Sequence, residues 1–150
     1  MTRSWTEHLP DPDRHAEFYA DVPMKRALAW VVDTILIGIL TALIVPFTAF
    51  VALLFLPVLF LCVSFAYRWV SLSTASATPG MRLMAVTFRS NRGTALNGGE
   101  AFLHTLAYTV SIAFVIPQVI SAALMLTTAR AQGLTDHVLG TVAINRAAAA

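Results

Sequence analysis

The chain has 150 residues, of which 57% are hydrophobic and only 12% charged, with a formal net charge of +2; an ordinary soluble domain carries about 25% charge. So short a chain has too little polar sequence to wrap its long apolar segments in a water-soluble core. The weak positive charge, with no basic run interleaved with aromatics, excludes a nucleic-acid-binding face. The single cysteine, Cys62, stands inside an apolar run, where it cannot form an intrachain disulfide and reads as a small hydrophobe.

Residues 1–23 hold five acids, three prolines, His8 and His15, and no apolar run. They are neither a signal peptide nor a span, and they read as a mostly disordered tail whose Phe18-Tyr19 pair rests at the membrane interface. Residues 27–45 contain a single charge, Asp33, and at helical rise they reach roughly 28 Å, close to the hydrocarbon thickness of a bilayer. Pro46 follows at once. A second apolar run, 50–70, ends in Ala66-Tyr67-Arg68-Trp69, a cluster suited to the headgroup level; Pro57 inside it predicts a kink. Residues 71–99 turn to Ser, Thr, Pro, Gly and Asn and form an interfacial connector, in which 82–88 is a short strand or an interfacial helix and 90–93 a turn. The third apolar region, 101–128, is long for one upright span and short for two. It is therefore expected as a single kinked span or as a re-entrant hairpin broken at Pro117. The fold class is all-α transmembrane, with three membrane-spanning helices. The terminal run 147–150 carries no information.

Lysine and arginine set orientation, since acids contribute little. Arg3, Arg14, Lys25 and Arg26 precede the first span, and Arg68, Arg82, Arg89 and Arg92 follow the second, while the connection between the spans has no cation. The N terminus and the connector are thus predicted to face the cytoplasm from the cell (inner) membrane. Three upright spans would leave the C-terminal segment outside; Arg130, flanking the last apolar run, favours the hairpin that returns it.

Arg26 and Asp33, seven residues apart, share one helix stripe. Their axial separation of roughly 10 Å is too long for a direct ion pair, so each needs another partner. Arg26 can extend to lipid phosphates. An acid within a span costs about 2.5–3.5 kcal/mol on insertion scales and faces protein or water, which marks Asp33 as the leading polar-site candidate. Glu100 and His104, at i and i+4, can meet on one face and suit proton passage, but two residues are too few for a metal site. Thr105, Thr109, Ser111, Gln118 and Ser121 give the third region a polar side of the kind that glues helices together. Near the C terminus, Gly133 can end a helix and Asp136 precedes a short alternating run with Gly140 as a bend. His137 faces away from Asp136 in any regular element, so the adjacent pair is not a catalytic dyad. No zinc spacing, phosphate-binding glycine loop or nucleophile elbow occurs.

Arg26 opening the first span, Asp33 within it, Asp136 in QGLTDHVLGTVAI, and the connector TPGMRL at 78–83 together resemble the RDD family, named for one arginine and two aspartates. The resemblance covers roughly 23–144. Two positions depart from the family pattern: Met81 stands where a lysine is usual, and Thr135 where a histidine is usual. The resemblance implies an RDD-like membrane domain over 24–146 and a small multi-pass protein that is not an enzyme, with no cofactor. Transport of unidentified ligands, among them monovalent cations exchanged for protons, has been suggested for the family.

Two functional readings follow. In one, Arg26, Asp33 and Asp136 build a polar site for ion or small-solute movement, with Arg82, Glu100, His104 and Arg130 as secondary candidates. In the other, the same groups form a structural polar network in a membrane assembly or partner-binding module. Either places the chain in a lipid bilayer. A homo-oligomer or another membrane protein is the expected partner, because three helices scarcely enclose an aqueous path while screening Asp33 from lipid.

Overall fold

A computed structural model describes residues 9–146. In chain order the elements are α1 (Val22–Ile44), α2 (Leu56–Ala75), α3 (Pro79–Leu83), β1 (Val86–Ser90), α4 (Gly98–Ile112), α5 (Val115–Thr127), α6 (Leu134–Leu139) and β2 (Thr141–Asn145). Short 3₁₀ turns, Val45–Thr48 and Val51–Phe55, join α1 to α2.

Proline starts helices in this chain. Its missing N–H falls in the first turn, where that donor has no intrahelical partner anyway. Pro23, Pro57, Pro79 and Pro117 stand in the first turns of α1, α2, α3 and α5. Pro57 therefore begins the second helix where a kink was expected. The break in the third region likewise lies at 113–114, ahead of Pro117. The far end of α2 also differs from expectation, since the helix continues to Ala75. Ser73 and Thr74 allow this by returning their hydroxyls to the carbonyls of Trp69 and Val70, at 2.5 and 2.8 Å. Tyr67 and Arg68 consequently lie within the helix and not at its end.

α1 and α2, about 35 and 30 Å long at helical rise, are long and apolar enough to cross a bilayer. α4 and α5, about 22 and 20 Å, are each too short alone and are bent 117° apart. Gln118 Nε2 donates to Ser111 Oγ across the bend at 2.9 Å. The bent pair is a broken span or a re-entrant loop, as the sequence of the third region leads one to expect. On either side of it in the chain lie two paired strands: β2 runs antiparallel to β1, from Val86 opposite Asn145 to Ser90 opposite Thr141. The two-stranded sheet is the non-helical part of a mostly helical fold.

The apolar core sits at this sheet end. Val22 and Ala29 of α1, Leu72 of α2, Met81 of α3, Val86 and Phe88 of β1 and Ala101 of α4 bury one another. Toward the other end the helices present their apolar surfaces outward: Leu43 is 60% exposed, Phe47 90% and Leu54 79%.

Residues 1–8, with His8, lie outside the described residues, but residues 9–23 depart from the disordered tail expected. Phe18 and Tyr19 are buried with Val142, Ile144 and Leu9, and the Tyr19 hydroxyl donates to the Pro10 carbonyl at 2.7 Å. Asn145 of β2 donates to the carbonyls of Glu17 and Ala20 at 2.8 and 2.9 Å and accepts from Lys25 Nζ at 2.8 Å. Two aromatic rings gain a strand to pack on, which offsets the entropy of ordering the segment.

α3 approaches α1 at Gly80 so closely that an added Cβ would strike the Ala29 carbonyl oxygen and lie 2.8 Å from Asp33 Oδ1. Gly80→Ala should therefore push α3 off α1 and lower stability by about 1–3 kcal/mol or more. Gly38, whose Cβ would meet nothing within 4 Å, is the control. Gly38→Ala should be neutral or stabilising, since alanine is worth up to about 1 kcal/mol over glycine inside a helix. Thermal midpoints in detergent compare the two; equal midpoints would refute the contact.

Candidate functional site

Asp33 lies on the buried stripe of α1 with Ala29, Ile37 and Thr41 and is 1% exposed. The segment that meets it is the TPG turn. Thr78 has extended backbone at the N-cap of α3, and its Oγ1 accepts from the Met81 N–H at 3.2 Å. Pro79 supplies the fixed φ of the first helical position. From this turn the Thr78 hydroxyl donates to Asp33 Oδ2 at 2.5 Å, and the Gly80 N–H donates to Oδ1 at 2.8 Å. The Tyr67 hydroxyl of α2 donates to the same Oδ1 at 2.7 Å. Three donors from two elements thus converge on one carboxylate, as a buried acid requires.

Arg26 does not pair with Asp33. Its side chain is 17% exposed; the guanidinium forms an ion pair with the fully buried Asp136, and its Cζ stands 5.2 Å from the centre of the Phe88 ring. Asp136 is the third residue of α6, and its Oδ2 also accepts from the Gly133 N–H at 3.0 Å, capping its own helix. Its Oδ1 takes the Thr141 hydroxyl and His104 Nε2, each at 3.0 Å. Burial pushes the Asp136 carboxyl up, but the Arg26 charge and the His104 hydrogen bond outweigh it and hold the group well below its ordinary value of 3.8.

The structure thus divides the three leading candidates between two networks: Arg26 with Asp136, and Asp33 with the TPG turn. Among the secondary candidates only His104 joins either. Glu100 does not meet His104; it closes a capping box with Asn97 and pairs with Arg92 at 3.0 Å. Arg82 is exposed on α3, and Arg130 is half-buried ahead of α6; neither makes a side-chain hydrogen bond to another described residue. Met81 is buried in the apolar core, 6% exposed. Among the described residues no group of three His, Cys, Asp or Glu side chains is placed to hold a metal.

Thr78, Gly80, Tyr67 and Thr141 are the network members that the sequence did not single out for this role. Thr-Pro-Gly after a polar shift carries a local signal, an N-cap followed by proline at the first helical position. Nothing local announces that the turn closes on a carboxylate 45 residues earlier.

The depressed Asp136 titration fixes a sign. A carboxyl whose folded value lies below its unfolded value stabilises the fold above the unfolded value, and that stability is lost as pH falls through the folded value. Thermal midpoints of the purified protein should fall as pH drops below about 4, and Asp136→Asn should flatten that slope while costing about 3–5 kcal/mol at neutral pH, because Arg26 loses its counter-charge. An Asp136→Asn protein with the wild-type midpoint and acid slope would contradict the ion pair.

No curated protein and no solved structure matches the chain. The model of the RDD family matches residues 20–140, a stretch that includes both long apolar helices, the TPG turn, the bent α4–α5 pair and both aspartates. On that match, and with two long apolar helices and a bent third pair, the chain belongs to the RDD family of multi-pass membrane proteins.

Proposed function

We propose that Arg26 with Asp136, and Asp33 with the TPG turn, form two structural polar networks, and that the protein is a non-catalytic membrane assembly or partner-binding module whose helix register these networks fix. The observation that carries this reading is that both Asp33 oxygens are engaged by donors of the chain itself. At 1% exposure its two oxygens take three hydrogen bonds from Tyr67, Thr78 and Gly80, all within the chain. A carboxylate held to bind or exchange a cation needs lone pairs turned towards the ion's path. These are turned towards a backbone N–H and two hydroxyls that themselves need partners.

Replacing Asp33 tests it. Asp33→Asn keeps the shape but sets an NH₂ against the Thr78 hydroxyl or the Gly80 N–H, and the yield of folded protein should drop with a loss of about 1–3 kcal/mol. Asp33→Leu should be worse, because an apolar side chain leaves all three donors unmet. Flux of Na⁺, K⁺ and H⁺ into liposomes holding purified wild-type protein should not exceed that of empty liposomes. Wild-type flux that Asp33→Asn abolishes at unchanged yield and midpoint would replace this reading with transport.

We also infer that the tail, the connector and the C-terminal segment face the cytoplasm. The β1–β2 pairing, the Arg26–Asp136 ion pair and the Lys25–Asn145 hydrogen bond gather all three segments on one side, where the cations concentrate. Single cysteines at Thr2, Asn91 and Ala148, in a Cys62→Ser background, should resist an impermeant thiol reagent in intact cells and react after lysis. Labelling of all three in intact cells would invert the orientation.

A further inference from the structure

A cavity of about 550 Å³ opens on the sheet side, lined by the end of α2, by Arg82 of α3, by β1, by the segment ahead of α4 and by Arg146 just past β2. Its volume falls in the roughly 300–1,000 Å³ range of small-molecule sites. Three arginines reach it, Arg82, Arg89 and Arg146, and no acid is among the lining residues; the hydroxyls of Ser73, Thr74 and Thr87 on its wall are already given to backbone carbonyls. None of the three guanidinium groups is hydrogen-bonded to another described side chain or carbonyl. The C terminus of α2 contributes about half a negative charge, which three full positive charges outweigh. A cavity so charged and without an internal counter-ion selects an anion, and guanidinium forks match phosphate oxygens.

The depth of the cavity narrows the source. Its wall begins at Ser73, one turn beyond Trp69 and Val70, which are 41% and 57% exposed on the apolar stretch of α2. Indole rings of this kind mark the headgroup level.

We propose that this cavity binds an anionic phosphate group at the membrane surface, as the headgroup of an anionic phospholipid presents it. The proposal rests on the membrane placement of α2 and is independent of the role given to Asp33 and Asp136. Arg82, Arg89 and Arg146 belong to neither network, so their replacement leaves both networks intact.

The test uses the purified full chain in detergent micelles doped with phosphatidylglycerol or phosphatidylcholine, with titrations of glycerol phosphate and inorganic phosphate in parallel. Phosphatidylglycerol should raise the thermal midpoint where phosphatidylcholine does not. Each of Arg82→Gln, Arg89→Gln and Arg146→Gln should weaken that binding about fivefold, the worth of one arginine at a charged surface, with the lipid-free midpoint as the control for folding. A response to the soluble phosphates that the same substitutions weaken, without a response to phosphatidylglycerol, keeps the phosphate site and assigns it a soluble ligand. Equal responses to both lipids with none to soluble phosphate, or a phosphatidylglycerol response that survives all three single substitutions, overturns the proposal.

Discussion

A buried acid on a membrane helix has no water to complete its coordination, so each of its oxygens must find a donor in the protein. Asp33 meets this demand by recruiting the start of α3, whose own N–H groups have the opposite need, donors without intrahelical acceptors. The fold follows from satisfying the two deficits together. Thr78 serves both, accepting from Met81 and donating to Asp33. Gly80 has to be glycine because the donor can reach the carboxylate only if the α3 backbone presses against Ala29. A connector that composition alone marks as interfacial is thereby drawn onto α1, and β1 is delivered to the place where β2 can join it.

The second network works at the surface end of the same α1 stripe and obeys a different balance. Asp136 is fully buried but faces a full positive charge on Arg26, so Coulomb attraction supplies what desolvation removes. Phe88 lies against both Arg26 and His104, its ring centre 4.5 Å from the imidazole, so the flanks of this cluster are closed by an aromatic face. Arg26, Asp33 and Asp136 therefore serve two separate joints. One fastens α1 to the connector, and the other fastens α1 to the C-terminal segment and α4.

What the sequence discloses here is governed by range. Run length discloses the spans, because hydrocarbon thickness is a one-dimensional constraint that 27–45 and 50–70 answer directly. The 10 Å rise between Arg26 and Asp33 is enough to deny them each other as partners, since it depends on one helix alone. The identity of the actual partners is hidden, because Thr78, Tyr67 and His104 come into reach only once helices have packed and the α4–α5 pair has bent. Proline misleads for a related reason: Pro57 and Pro117 look internal to apolar runs, and only the 3₁₀ turn before one and the bend before the other reveal that each opens a helix. The tail shows no periodicity to read, because its order is borrowed from Val142 and Ile144 at the opposite end of the chain.

The pairing of β1 with the last strand of the chain bears on how the protein is made. Asp33 and Gly80 are 47 residues apart, while Arg26 and Asp136 are 110 apart; closing the longer loop costs only about 0.6 kcal/mol more per doubling of length. Equilibrium barely separates the two joints, but synthesis does, since a chain emerges N-terminal end first. The first joint can close while the ribosome is still making α4 and α5, whereas Arg26 waits for α6, and Phe18 and the open edge of β1 wait for β2. A chain that stops short of α6 and β2 is left with an unpaired strand edge on β1 and with Arg26 lacking its counter-charge.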